Sequence, residues 1–130
     1  MDGLHTSTAT SASGMRAQAD RLRLTAENIA NADTPGYRRK MTTFESVVRQ
    51  GRETGQVTTG PVELDQRAVD RIYDPGHPMA DAAGYYDGSN VDLVIEIADA
   101  REAQRSYEAN LRMFDQARKM RSALLELLRR

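Results

Sequence analysis

Apolar residues in the first quarter of the chain recur at helical spacing. Ala12, Met15, Ala19, Leu22, Ala26 and Ile29 lie three or four apart, which predicts an amphipathic helix whose seam alternates small and large side chains, as in a coiled coil. Upstream, Thr6 to Ser13 is rich in Ser and Thr. Their hydroxyls compete for backbone hydrogen bonds, so the first ten or so residues are expected to be weak helix at best. Asp33-Thr34-Pro35-Gly36 is a stop, because helix is disfavoured before Pro and Gly offers a turn.

The last third of the chain carries two overlapping apolar seams. One is Leu93, Ile97, Ala100, Tyr107, Leu111 and Phe114; the other is Ala109, Met113, Met120, Leu124 and Leu127. Two seams on one helix require more than one neighbour. Ser89 or Asn90 is expected to cap this helix, with Asp92 favourably placed in its first turn. About 40 residues would form a rod of roughly 60 Å, more than a partner helix of about 20 residues can cover. An antiparallel hairpin with an overhang is the plainer alternative.

Between the helices the pattern changes. All four prolines and seven of the nine glycines lie between Pro35 and Gly88, so the chain reads as helix, irregular or β middle, helix. Val62-Glu63-Leu64 alternates and Val69 to Tyr73 is β-branched and aromatic, which together suggest one short hairpin. Asp74-Pro75-Gly76 and Asp87-Gly88 are turn signals. The expected fold is mainly α: long N- and C-terminal helices paired as a coiled-coil-like hairpin around a small irregular or β middle. The expected divisions are 1–36, 37–88 and 89–130, the first and last forming one unit.

Composition removes several chemistries. The 130 residues carry 18 Lys or Arg against 19 Asp or Glu, a net charge of −1, which argues against a general nucleic-acid binder. There is no Cys, hence no disulfide scaffold, thiolate metal site or cysteine nucleophile. No run approaches the length of a membrane span, and the N-terminus has no basic and apolar leader pattern. By those sorting rules alone the address would be cytoplasmic. His77, with Asp74 and Asp81, has the side-chain types of a metal site, but Asp-Pro-Gly-His-Pro reads first as a turn. Glu63 and Asp65 share a strand face, where a solvated strand is the simpler reading than an acid/base pair. Arg38-Arg39-Lys40 and the basic C-terminal third lack the interleaved aromatics of a nucleic-acid surface. Contacts between subunits or helix-end solvation account for them. Nothing implies a cofactor or a metal.

Several motifs together carry a resemblance. Leu24 to Arg39, containing Asn28-Ile29-Ala30-Asn31 and Thr34-Pro35-Gly36-Tyr37, resembles the N-terminal signature of the bacterial flagellar rod and hook axial proteins. Tyr73-Asp74-Pro75-Gly76-His77-Pro78, Gly84-Tyr85 and Asn90-Val91-Asp92 are similar to the proximal-rod branch of that group. So is Arg105-Ser106-Tyr107-Glu108-Ala109-Asn110 followed by Phe114, Ala117 and Met120. A Pro often found before Asn-Val-Asp is Ser89 here, which is expected to loosen the start of the long helix.

The resemblance implies a structural subunit, not an enzyme, exported through the flagellar type III apparatus without a cleaved signal into a rod that spans the periplasm. Its implied partners are copies of itself, other rod proteins and the basal-body ring or adaptor, with no nucleic acid and no membrane insertion. Met15, Leu22, Ile29, Ser106, Tyr107, Asn110, Leu111, Phe114 and Met120 are the expected subunit-packing residues. Helices with uncovered seams should order only on assembly, since burial within one chain cannot offset the entropy of ordering them. A stand-alone helical adaptor and a small enzyme built on His77 are the rival classes.

Overall fold

A computed structural model describes residues 2–130. Two long helices frame the chain: α1, Asp2–Ala30, and α2, Leu93–Arg129. Between them lie six short strands: β1 Lys40–Met41, β2 Phe44–Arg49, β3 Arg52–Thr59, β4 Glu63–Leu64, β5 Arg71–Tyr73 and β6 Tyr85–Asp87. The architecture is mainly α with a small antiparallel segment.

Helix α1 begins well before the point that the Ser/Thr run suggested. The hydroxyls do not break the helix because they bond within it. Thr6 Oγ1 donates to Asp2 O at 3.0 Å, Thr8 to His5 O at 2.9 Å and Ser13 to Thr10 O at 2.7 Å. Ser13 Oγ also accepts from Val57 N at 3.1 Å, so β3 docks on the stretch and supports it. Tertiary contact overrides weak propensity here.

Helix α2 starts one turn later than Ser89. Asp92 is its N-cap, accepting from Val94 N at 3.0 Å and from Ile95 N. Ser89 and Asn90 serve elsewhere. Ser89 Oγ donates to Ala32 O, and Ser89 is buried. It therefore ties the start of α2 to the end of α1 instead of loosening it.

The strands form three separate antiparallel pairs, β1–β4, β2–β3 and β5–β6, not one hairpin. The expected pairing of Val62–Leu64 with Val69–Tyr73 does not occur: β4 pairs with β1 and β5 with β6. The longest pair, β2–β3, turns through Gln50-Gly51, both at positive φ (52° and 75°), the conformation that suits a two-residue hairpin loop.

The helices run antiparallel along each other, with Asn28 beside Glu96, Arg21 beside Asp99 and Glu102, and Gly14 beside Asn110. The residues between them are small or polar. Among the described residues only Ala17, Leu24, Ala103 and Ala117 are buried and apolar. The chain exposes 9007 Å², where a compact monomer of this mass would expose about 6,900 Å². Large apolar side chains lie mostly at the surface.

Candidate functional site

The densest set of side-chain interactions is where α1 ends, the chain turns, and α2 begins. Asn28, 1% exposed, and Glu96, fully buried, are its centre. Asn28 Nδ2 donates to Glu96 Oε2 at 3.3 Å and to Lys40 O at 3.0 Å, while its Oδ1 accepts from Lys40 N at 2.9 Å and from the Tyr37 hydroxyl at 2.8 Å. The amide thus pairs with the Lys40 backbone as a neighbouring strand would. Asn28 thereby joins the turn to α2. Asn31 caps α1, its Nδ2 donating to Glu27 O at 2.9 Å, and it accepts from Thr34 Oγ1 at 3.1 Å.

Charge at this junction is compensated at each position. The Arg39 Nε donates to Glu96, and a second nitrogen reaches Asp99 Oδ2 at 3.0 Å. Lys40 pairs with Glu27, and that carboxylate pushes the Lys40 amine above its ordinary value. Burial, followed by the charge of Glu27, raises the Tyr37 phenol, keeping its hydroxyl protonated as a donor. Arg38 donates to the carbonyls of Asp65 and Arg67 at 3.1 and 3.0 Å, and Asn90 Nδ2 donates to the same two carbonyls at 3.0 and 3.1 Å. Asn90 Oδ1 accepts from Arg39 N at 2.6 Å. The Arg38-Arg39-Lys40 run is consumed inside the chain, which corrects its reading as a subunit contact or solvated helix end.

Asp65 is also corrected. It is buried, not solvated. The Arg67 side chain and then its backbone N–H hold the carboxyl below its ordinary value, opposite to what a general acid needs. Glu63 stays exposed. A cleft of about 390 Å³ beside the junction is lined by Arg21, Arg39 and Lys40, but each cation faces a carboxylate of the same chain.

The signature residues meet in one turn. Gly36 sits at φ 74°, where glycine is favoured, and its N–H donates to Asp87 O and Gly88 O, each at 3.1 Å. That bond links the turn to β6. Ile29 and Pro35 are half-buried; Ala30 and Thr34 are exposed.

The middle motif folds as a separate small cluster around β5–β6. Asp74 Oδ1 accepts from Gly76 N at 3.2 Å, and His77 Nδ1 accepts from Met79 N at 3.1 Å. The His77 ring stacks on Tyr86 at 3.9 Å, and Tyr85 packs on Tyr73 at 5.1 Å. Pro75 closes over Gly84, where a β-carbon would lie 3.0 Å from its ring. Asp81 binds Arg71 and backbone N–H groups. Pro78 is exposed. Among the described residues no three His, Asp or Glu side chains converge.

The predicted packing residues lie off the contact between α1 and α2, with one exception. On α1, Met15, Leu22 and Ile29 are half-buried, while Ala19 and Ala26 are exposed. The face that meets α2 is instead Gly14, Arg21 and Asn28, while buried Ala17 lines a cleft with β2 and β3. On α2 the inner stripe is Glu96, Ala103, Asn110 and Ala117, spaced by sevens. Asn110 therefore belongs to the contact within the chain, touching Gly14, with its Nδ2 donating to Ser106 O at 2.9 Å. Ser106, Tyr107 and Phe114 are half-buried, and Arg118 lies over the Phe114 ring at 5.9 Å. Leu111 and Met120 are exposed, as are Leu93, Ile97, Met113, Leu124 and Leu127. Glu96 and Gly14 were not anticipated, and Arg39 and Asn90, though part of the sequence motifs, were not expected to meet at this junction. The usable signals were a lone acid within Leu-Val-Ile-Glu-Ile and a seven-residue recurrence of small or polar residues, which a search for large apolar seams passes over.

Fold and site define an antiparallel helical-hairpin protein whose prominent features are structural rather than chemical. Two family models match it: "Flagella basal body rod protein" over residues 9–38 and "Flagellar basal body rod FlgEFG protein C-terminal" over residues 82–127. The chain is 40% identical to the flagellar basal-body rod protein FlgC of Agrobacterium fabrum, over 99% of its own length and 98% of the relative's. It is 36% identical to that of Salmonella typhimurium (88% and 90%) and 31% identical to that of Bacillus subtilis (90% and 93%). The chain belongs to the flagellar basal-body rod protein FlgC family. That family is structural, not enzymatic.

Proposed function

We propose that the chain is a structural subunit of the flagellar basal-body rod, built into the proximal shaft through its two terminal helices. The observation that carries this reading is the pair of apolar seams on α2, which α1 leaves uncovered: Leu93, Ile97, Leu111, Met113, Met120, Leu124 and Leu127 are all exposed. Neighbouring copies and other rod proteins would cover them, with the helices packed in coiled-coil fashion. Met15, Leu22, Ile29, Ser106, Tyr107, Leu111, Phe114 and Met120 are the proposed contact residues. The segments 1–36 and 89–130 act as one unit in the tube wall, and 37–88 forms an outer element whose exit is set by the turn Asn31 to Tyr37.

The mechanism follows from area and entropy. Four small or medium buried apolar residues cannot offset the ordering of two long helices. The free chain is then largely disordered and can be threaded through the type III export channel without a cleaved signal. At the growing tip the seams are buried and ordering is coupled to binding. Heterologous contacts build an open helical assembly, through which torque passes to the hook. Among the described residues no helix is long and apolar enough to cross a membrane, and the proposed site is the periplasm-spanning rod, next to the ring or adaptor at its base.

The test is circular dichroism and limited proteolysis of the purified full-length chain before and after incorporation. Low helicity and labile termini that become helical and protected support the reading. A cooperative, protease-resistant, fully helical monomer overturns the coupled ordering and favours the adaptor class.

A further inference from the structure

The contact between α1 and α2 is nearly self-similar under a shift of seven residues. Gly14 faces Asn110, and one heptad further along α2 stands Ala117, also small and inward. α2 has 37 residues and α1 has 29, so α2 is longer by slightly more than one heptad. Sliding α1 about 10 Å toward the α2 C-terminus would keep a small residue opposite Gly14 and bring α1 toward Leu124, Leu127 and Leu128, all exposed. Beyond the half-exposed pairs of Arg21 with Asp99 and Glu102, which the slip would break, little in the distal contact opposes it, and apolar burial favours it. Sliding the other way would set Asn28 against Ser89, before the helix begins.

We infer that Glu96, with Arg39 and Asn28, is the register lock of the helix pair. The fully buried carboxylate accepts from Asn28 Nδ2 and from the Arg39 Nε. After a one-heptad slip Asn28 would face Ala103. It would either carry the Lys40 backbone and Arg39 with it, breaking the Arg39–Asn90 bond, or leave them behind. The first course leaves Glu96 without its cation and the second without its amide. An uncompensated buried charge is strongly unfavourable, while the intact pair adds little net stability over an apolar substitute. Such a group selects one arrangement among several, as a buried polar residue does in a coiled coil. Glu96, Arg39 and Asn28 are positioning residues here: they hold the middle segment at one height along the helices.

The inference relies on the rod reading for its setting, because the test is made in assembled basal bodies. The chain has no native Cys, so a pair of introduced cysteines reports register by disulfide formation. Gly14→Cys with Asn110→Cys reads the native register, and Gly14→Cys with Ala117→Cys reads the slipped one, with Asn110→Ala added because a β-carbon at Gly14 would lie 2.7 Å from the Asn110 amide. With Glu96 present, only the native pair should cross-link. Glu96→Ala should raise the slipped-to-native ratio at least about tenfold, and Glu96→Ala with Ala103→Glu should make the slipped pair dominant. Native cross-links alone in the Glu96→Ala chain, or no slipped pair from the double substitution whether or not it is incorporated, overturn the lock. Failure of the otherwise unaltered cysteine-pair chains to enter basal bodies, where the natural chain is also missing, speaks instead against the rod reading.

Discussion

The two ends of the helix pair are built on opposite terms. At the end near Glu96, polar groups are buried and paired within the chain: Asn28, Glu96, Asp65 and Ser89 are all inaccessible and hydrogen-bonded. At the other end, from Leu111 to Leu128, large apolar side chains face outward and charges pair only locally, as in Arg112 with Glu108 and Arg129 with Glu126. Burial strength and geometric selectivity are separated along one molecule. Polar groups define an arrangement while adding little net free energy, whereas apolar area adds free energy with little selectivity. An assembling subunit needs both, and here they occupy different places.

The largest effect should come from breaking the satisfied end. Arg39→Ala strands the Glu96 carboxylate in a site with no exposure and should weaken the folded arrangement by about 3–5 kcal/mol. In basal bodies the expected outcome is strong loss of incorporation, with the remaining subunits cut by protease between residues 37 and 88, because Arg39 and Asn90 hold that segment to α2. Unchanged protection of the segment would show that the junction does not anchor it.

Breaking the uncovered end should look different. Leu124 is exposed in the single chain, so Leu124→Asp should leave the free chain's circular dichroism and solubility as they were. On assembly the substitution forfeits an apolar contact and buries a charge, weakening incorporation by roughly 2–3 kcal/mol, read as the fraction of subunit recovered with basal bodies. Protease protection of residues 37–88 in the subunits that do assemble should be unchanged. If Leu124→Asp assembles normally, this face is not an interface, and the contrast between the two ends loses its functional meaning.

How much of this was legible in the sequence follows the same division. The long helices and the stop at Pro35 were readable, because spacing and breakers act locally. So were the outward seams, because large apolar residues at 3–4 spacing stand out. What the seams did not reveal was the partner they lacked. The contact within the chain is made by Gly14, Ala103, Asn110 and Ala117, small or polar residues that score weakly on any hydrophobic pattern and matter because they let backbones approach. The junction was readable only as a motif. Nothing in the spacing of Asn28, Arg39, Asp65 and Glu96 announces that they meet, since their proximity is a product of the turn and of β1–β4 pairing. The β2–β3 hairpin was missed for another reason: Gln50-Gly51 lacks the usual Asn or Asp, and Gln50 adopts positive φ without being a residue type that favours it.

The smallest effect tests whether the satisfied end extends outward to Asp65. Its carboxylate accepts from Arg67 N at 2.9 Å and from Arg67 Nε at 2.8 Å, with Arg39 4.0 Å away. Those bonds hold the carboxyl below its ordinary value. A depressed acid contributes stability that is complete above its ordinary pKa and is lost as pH falls through the folded value. Acid dissociation of assembled subunits should therefore carry a contribution from Asp65 that begins below about pH 5 and grows toward the depressed pKa. Asp65→Asn should lower stability at neutral pH and flatten the acid profile in that window, while the profile above pH 5 keeps its shape. The effect is modest because Arg67 is largely exposed and solvent screens the pair. If the acid profile of Asp65→Asn parallels that of the natural chain, the polar junction ends at Asn90, and the segment that follows β4 is held by its backbone alone.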